Sequence, residues 1–170
     1  MSQLQIVEGD HVRGNPNADI VIVEYGDFQC PYCARAHPTL RELQGRYGER
    51  ITMVYRHLPL GMHPYAEAAA EAAEAAAAQG KFWEMHDTLF EHQAQVTPGQ
   101  LPLLAQQLGI ENGRFDEDLA TRRYRERIQA QAEEGKALGA SGTPSFFING
   151  ERYHGDSDRD SLTAAVERYL

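Results

Sequence analysis

The chain has 170 residues, is 42% hydrophobic and carries a formal net charge of -9. That length supports one domain with a core of its own and is too short for two ordinary ones. An acidic balance without a basic cluster sets nucleic acid and anionic membrane aside as partners, because both would repel it, and no apolar run approaches the ~18 residues of a membrane span.

In chain order, residues 1–5 lack the basic start and apolar core of a signal peptide. The chain as written is therefore expected in the cytoplasm, and in the periplasm or another extracytoplasmic space if a leader has been trimmed away. Residues 3–17 read as a short strand and a loop, with Gly14-Asn15-Pro16-Asn17 as a turn. Residues 20–25, Ile-Val-Ile-Val-Glu-Tyr, form a β-branched run apolar on both faces, which predicts a central strand covered on both sides. By period two, Glu24 shares a face with Ile20 and Ile22. It is expected either to lie buried under the start of the next helix, with a raised pKa, or to reach solvent from the strand end.

From Pro31 to Tyr47 the apolar positions Tyr32, Ala36, Leu40, Leu43 and Tyr47 recur at helical spacing, and Gly48 stops the helix. Residues 51–57 give a second strand, so strand, helix and strand make a βαβ unit. His57 and His63 flank a loop where they either line a groove or satisfy local hydrogen bonds. Residues 64–139 are helical throughout. The run 65–79 holds ten alanines, with Glu67, Glu71 and Glu74 expected on an exposed face. Helices are further expected over 81–93, from a Thr97-Pro98 cap to Leu108, from Asn112, and over 121–138. Asn149-Gly150 between two strand-like runs predicts a hairpin, and residues 158–169 predict a closing helix. Together these describe one α/β domain, residues 1–170, with a helical insertion over 64–139.

Both cysteines lie in Cys30-Pro31-Tyr32-Cys33 at the strand-to-helix junction. A bridge there closes too small a ring to be a strong staple, since the effect shrinks with loop length. As chemistry the position is better. Pro31 suits a first helical residue, and Cys30 then meets the unpaired amides and positive dipole of the helix N-terminus, where a thiolate is favoured. A zinc site would need four ligands. His37 extends the pair to a C-x2-C-x3-H string, but no fourth ligand is evident in the sequence, so neither metal nor cofactor is expected. Thr143-Pro144 stands directly before a core strand, where proline donates nothing to the ladder and either a trans or a cis bond is open.

The motifs Val23-Glu24-Tyr25-Gly26-Asp27-Phe28-Gln29-Cys30-Pro31-Tyr32-Cys33, Arg56-His57-Leu58-Pro59-Leu60, Lys81-Phe82-Trp83-Glu84-Met85-His86 and Gly142-Thr143-Pro144-Ser145-Phe146-Phe147-Ile148-Asn149-Gly150 resemble the DsbA-like branch of the thioredoxin superfamily. Such domains occur alone and fused to sodium/proton antiporters. The resemblance implies a thioredoxin fold, βαβ then ββα with a helical insertion, and thiol-disulfide exchange with cysteine-containing protein substrates and a redox partner. It further implies that Cys30 is the exposed nucleophile, Cys33 the resolving thiol, Thr143-Pro144 a cis-proline loop beside them for substrate binding, and Glu24 the buried acid beneath. Pro31-Tyr32 replaces the proline-histidine of DsbA and resembles the glutaredoxin dipeptide; tyrosine supplies no cation, so the thiolate is expected to be less extreme than in DsbA. The direction of electron flow stays open between an oxidase and an isomerase or reductase. A non-catalytic module that captures extended peptides by strand addition is the reading from a different class.

Overall fold

The computed structural model describes residues 4–170; the first three residues of the leader reading, and the start of the strand expected over 3–17, lie outside them. The elements run β1 (His11–Arg13), β2 (Ile20–Gly26), α1 (Pro31–Tyr47), β3 (Ile51–His57), α2 (Ala66–Ala77), α3 (Phe82–Glu91), α4 (Leu101–Gln107), α5 (Asn112–Ala120), α6 (Arg125–Ala137), β4 (Ser145–Ile148), β5 (Glu151–Arg152) and α7 (Arg159–Glu167). The five strands form one sheet in the order β1-β3-β2-β4-β5. Among the described residues only β2 and β3 pair in parallel, as the intervening helix requires, with Glu24 opposite Tyr55. The α/β thioredoxin fold expected from the sequence is therefore present, with α2 to α6 inserted between β3 and β4.

The period-two pattern of β2 decides what each face of the sheet covers. Ile20 and Ile22 pack against Leu40 and Leu43 of α1 and Leu162 and Val166 of α7. Val23 and Tyr25 point the other way, towards Ala132 of α6. A third cluster joins Phe28, Cys30, Cys33 and Tyr55 to the alanines of α2 and to Phe82, Met85, Leu89 and Phe90 of α3. Each large apolar side chain in these clusters contributes about 1.5–3 kcal/mol by leaving water. At the hairpin, Asn149 and Gly150 adopt φ of 49° and 83°, the left-handed pair that a tight two-residue turn demands.

Helix α6 is fixed to the sheet by more than apolar contact. Arg56 is buried, and its guanidinium donates to Asp10 at 3.0 Å, to Glu134 at 2.9 Å and to the Tyr25 hydroxyl at 2.9 Å. Gly135 sits against the Tyr25 ring, where a Cβ would lie 2.7 Å from Cδ1. Several expectations within the insertion are corrected. Glu71 and Glu74 are buried, not exposed: Arg122 reaches Glu71 at 3.0 Å, while His11 and His57 meet one oxygen of Glu74 at 2.7 and 2.8 Å. Helix α4 begins at Leu101 and not at Thr97-Pro98, α5 is capped by Glu111 in place of Asn112, and the 121–138 helix begins only at Arg125, after Arg122 at φ 51°.

Candidate functional site

The turn between β2 and α1 is built on Asp27. Its buried carboxylate accepts the Gln29 amide at 2.7 Å, the Leu60 amide at 2.8 Å and a His63 Nδ1 contact at 2.7 Å, and its carbonyl accepts the Cys30 amide at 3.0 Å. Gln93, from just beyond α3, donates to the carbonyls of Phe28 and Cys30 at 2.8 and 2.9 Å. The chain entering α1 is thus clamped on both sides. Cys30 occupies the N-cap position at φ -74° and ψ 120°, followed by Pro31, and no side chain fills the capping role.

Both cysteines are free thiols. Cys30 was expected to be the exposed one, but it is only 3% exposed against 1% for Cys33. The cover over it comes from the Thr143-Pro144 loop: the Cys30 Sγ lies 3.3 Å from the Thr143 carbonyl oxygen, and the Thr143-Pro144 peptide is cis. Pro31 and Tyr32 do stand in solvent, Tyr32 at 56%. The Arg35 guanidinium lies 4.5 Å from the centre of the Tyr32 ring, so a cation reaches the dipeptide that the sequence left without one.

The two thiols are driven in opposite directions. Hydrogen bonding from the Cys33 thiol, aided by Thr143 and the amides of Cys33 and Tyr32, outweighs burial and brings Cys30 down to about 5. Burial, then the bond to Cys30 and the charge of Glu24, pushes Cys33 well above its ordinary value. Glu24 is 2% exposed, which settles its position in favour of burial. Its Oε2 has no hydrogen-bond partner among the described residues, and burial, with the Cys30 charge second, raises its carboxyl to about 8. Glu24 and Cys33 border one cavity of about 10 Å³, together with Leu40, Met53, His37 and His86, a volume on the scale of a single water. The Tyr55 hydroxyl is likewise buried without a partner among the described residues.

The structure therefore brings Cys30, Cys33, Glu24, Thr143 and Pro144 together and leaves Pro31 and Tyr32 at the rim. His57 and His63 satisfy local hydrogen bonds: His57 is buried on Glu74, and burial lowers its pKa, while His63 secures Asp27. Sequence reasoning quoted Asp27 only as part of a motif and missed Gln93 entirely. A carboxylate three residues before an N-cap cysteine is a turn signal that could have been read; Gln93 offered none.

A parallel βαβ unit, a closing ββα unit, a helical insertion and a dithiol at the first helix define the thioredoxin class of fold. The sequence profile of the family described as thioredoxin matches residues 7–168, and the chain belongs to that family. Among solved structures it is similar to a thioredoxin-like oxidoreductase from Silicibacter pomeroyi, with a TM-score of 0.86, 28% identity and coverage of 98% of this chain and 95% of that one. BdbD from Bacillus subtilis superposes with a TM-score of 0.85 at 22% identity, over 98% and 95% of the two chains. In sequence, a Na(+)/H(+) antiporter NhaA 1 of Salinispora arenicola is 50% identical over 158 residues, 92% of this chain and 24% of that protein. The chain thus spans about a quarter of the length of the curated relatives it matches.

Proposed function

We propose that this domain is a thiol-disulfide oxidoreductase that passes the Cys30–Cys33 disulfide to cysteine-containing protein substrates. A substrate thiolate attacks Cys30 Sγ, the Cys30–Cys33 bond breaks, and Cys33 departs as a thiolate and takes a proton. Glu24, protonated up to about pH 8 and bordering the same cavity as Cys33, is placed to supply it. A second substrate thiolate then attacks the substrate sulfur of the mixed disulfide. Cys30 leaves as a thiolate; the substrate is oxidised by two electrons and the domain is reduced to the dithiol. Thr143 and Pro144 border the attacked sulfur and are the residues against which an extended substrate would lie.

The observation that carries this reading is the asymmetry of the pair: a thiolate stabilised to about 5 at Cys30 makes a good leaving group and favours the reduced protein. The same asymmetry favours oxidase over reductase and suits an extracytoplasmic setting better than the cytosol, where thiols are kept reduced. A separate redox partner must restore the disulfide. The test is oxidative refolding of a reduced, unfolded ribonuclease by the disulfide form. The native protein should transfer its bridge, Cys30→Ser and Cys33→Ser should transfer none, and the Cys30 thiolate of Cys33→Ser should accumulate a mixed disulfide when it is offered a disulfide-bonded substrate in place of the reduced one. Peptide binding that persists in Cys30→Ser without any transfer would replace this reading with the binding module.

A further inference from the structure

Where α1 packs on α3, imidazoles and carboxylates from two helices converge, with His37 and His86 also lining the cavity beside Glu24 and Cys33. His37, His86 and Asp87 each offer a ligand atom, and these atoms all lie within 4.8 Å of one another. His86 Nδ1 is 2.9 Å from Asp87 Oδ1. His37 Nε2 is 3.9 Å from that oxygen and 3.1 Å from Glu91 Oε2. Two donors bound about 2.1 Å from one cation at tetrahedral or octahedral angles are separated by roughly 3.0–3.4 Å, so a cluster already within 4.8 Å needs only side-chain rotation to close on a cation. We propose that His37, His86 and Asp87 form a binding site for a divalent first-row transition cation such as Zn2+, with Glu91 as the outer partner beside His37.

The donor set is two nitrogens and one carboxylate, the chemistry of borderline cations and not of Ca2+ or Mg2+. Both imidazoles are buried, at 6% and 5% exposure, while the Glu91 side chain is 58% exposed and gives an entry path. Arg13 does not close the site. Its guanidinium bonds Asp87 Oδ1 at 2.6 Å and lies 4.3 Å from the centre of the Trp83 ring. The contacts that Asp87 receives from described residues fall on Oδ1, which leaves Oδ2 for a cation and Arg13 as the outer partner orienting the carboxylate. Of the C-x2-C-x3-H string only His37 takes part; the other ligands come from α3, and the shell excludes the cysteines. Binding would couple the helix that begins at the dithiol to the first aromatic helix of the insertion.

The competing reading is that these groups only tie the helices by hydrogen bonds. Co2+ titration of the whole chain in its disulfide form separates the two, because no thiolate is then available. The expected result is a single Co2+ with a ligand-field spectrum free of sulfur charge transfer, displaced by Zn2+, and a higher Tm with Zn2+ present. Affinity should fall by about 100-fold or more in His37→Gln and Asp87→Asn, and by about 10-fold in Glu91→Gln. Glu91→Gln is the control for folding, since its side chain is largely exposed. Absence of stoichiometric binding, affinity unchanged in both His37→Gln and Glu91→Gln, or binding only by the reduced protein with a thiolate-to-cobalt band would each overturn the proposal.

Discussion

Reducing the disulfide should stabilise this protein at neutral pH and destabilise it in acid. In the folded dithiol the Cys30 pKa falls to about 5, against ~8.5 for a free cysteine in the unfolded chain. Because the folded value is the lower, the stabilisation is complete above about pH 8.5, where it reaches about 5 kcal/mol, and vanishes as pH falls through about 5. At pH 7 it is about 3 kcal/mol. Opposing it, the bridge restricts the unfolded chain; a ring this small contributes about 2 kcal/mol to the disulfide form. The desolvation of Glu24, the larger cause of its shift, acts in both forms and largely cancels. The dithiol should then lead by about 1 kcal/mol at pH 7, the two forms should be equal at about pH 6.5, and the disulfide form should lead by about 2 kcal/mol at pH 4. Guanidinium unfolding followed through Trp83, the single tryptophan, measures both forms at each pH. A difference that stays constant from pH 4 to 8, or a disulfide form that is the more stable at pH 8, would show that no stabilised thiolate exists.

Glu24→Gln should raise stability in both redox forms by up to about 3 kcal/mol at pH 7, because a carboxyl raised to about 8 costs nothing below about pH 4 and progressively more up to its folded pKa; the gain should disappear at pH 4, and release of Cys33 should slow. An equal gain at both pH values would mean Glu24 is not held protonated. Alkylation of the native dithiol should label Cys30 with a midpoint near 5 and leave Cys33 unlabelled; preferential labelling of Cys33 would reverse their roles. Asp27→Ala removes the acceptor for the Gln29 and Leu60 amides and should cost about 2–6 kcal/mol at ~1–3 per orphaned donor. Thermal unfolding showing a loss below about 1 kcal/mol would mean that water replaces the carboxylate.

The sequence disclosed the parts of this fold that are governed by local period and turn chemistry. Alternation along residues 20–25 placed Glu24 on the α1 face, and Asn149-Gly150 placed the hairpin. What it could not disclose came from contacts between residues far apart in the chain. Glu71 and Glu74 sit on an alanine-rich helix whose pattern looks solvated; their partners Arg122, His11 and His57 arrive from elsewhere. The depth of Cys30 depends likewise on the Thr143-Pro144 loop folding over it, and the meeting of His37 with His86 on α1 packing against α3. Identity of the dithiol was legible; its surroundings were not.

The contacts of α6 with the sheet also bear on how far this architecture is modular. Replacing residues 64–139 with a short linker, as one might to recover a minimal domain, would take Glu134 away from Arg56, Gln131 away from the His57 amide and Gly135 away from Tyr25. A guanidinium at 1% exposure that loses one of its carboxylates is costly by several kcal/mol. The helices therefore cannot be excised as a cassette, and chimeras with shorter relatives will tolerate an exchange of the insertion only if β2 and β3 are exchanged with it.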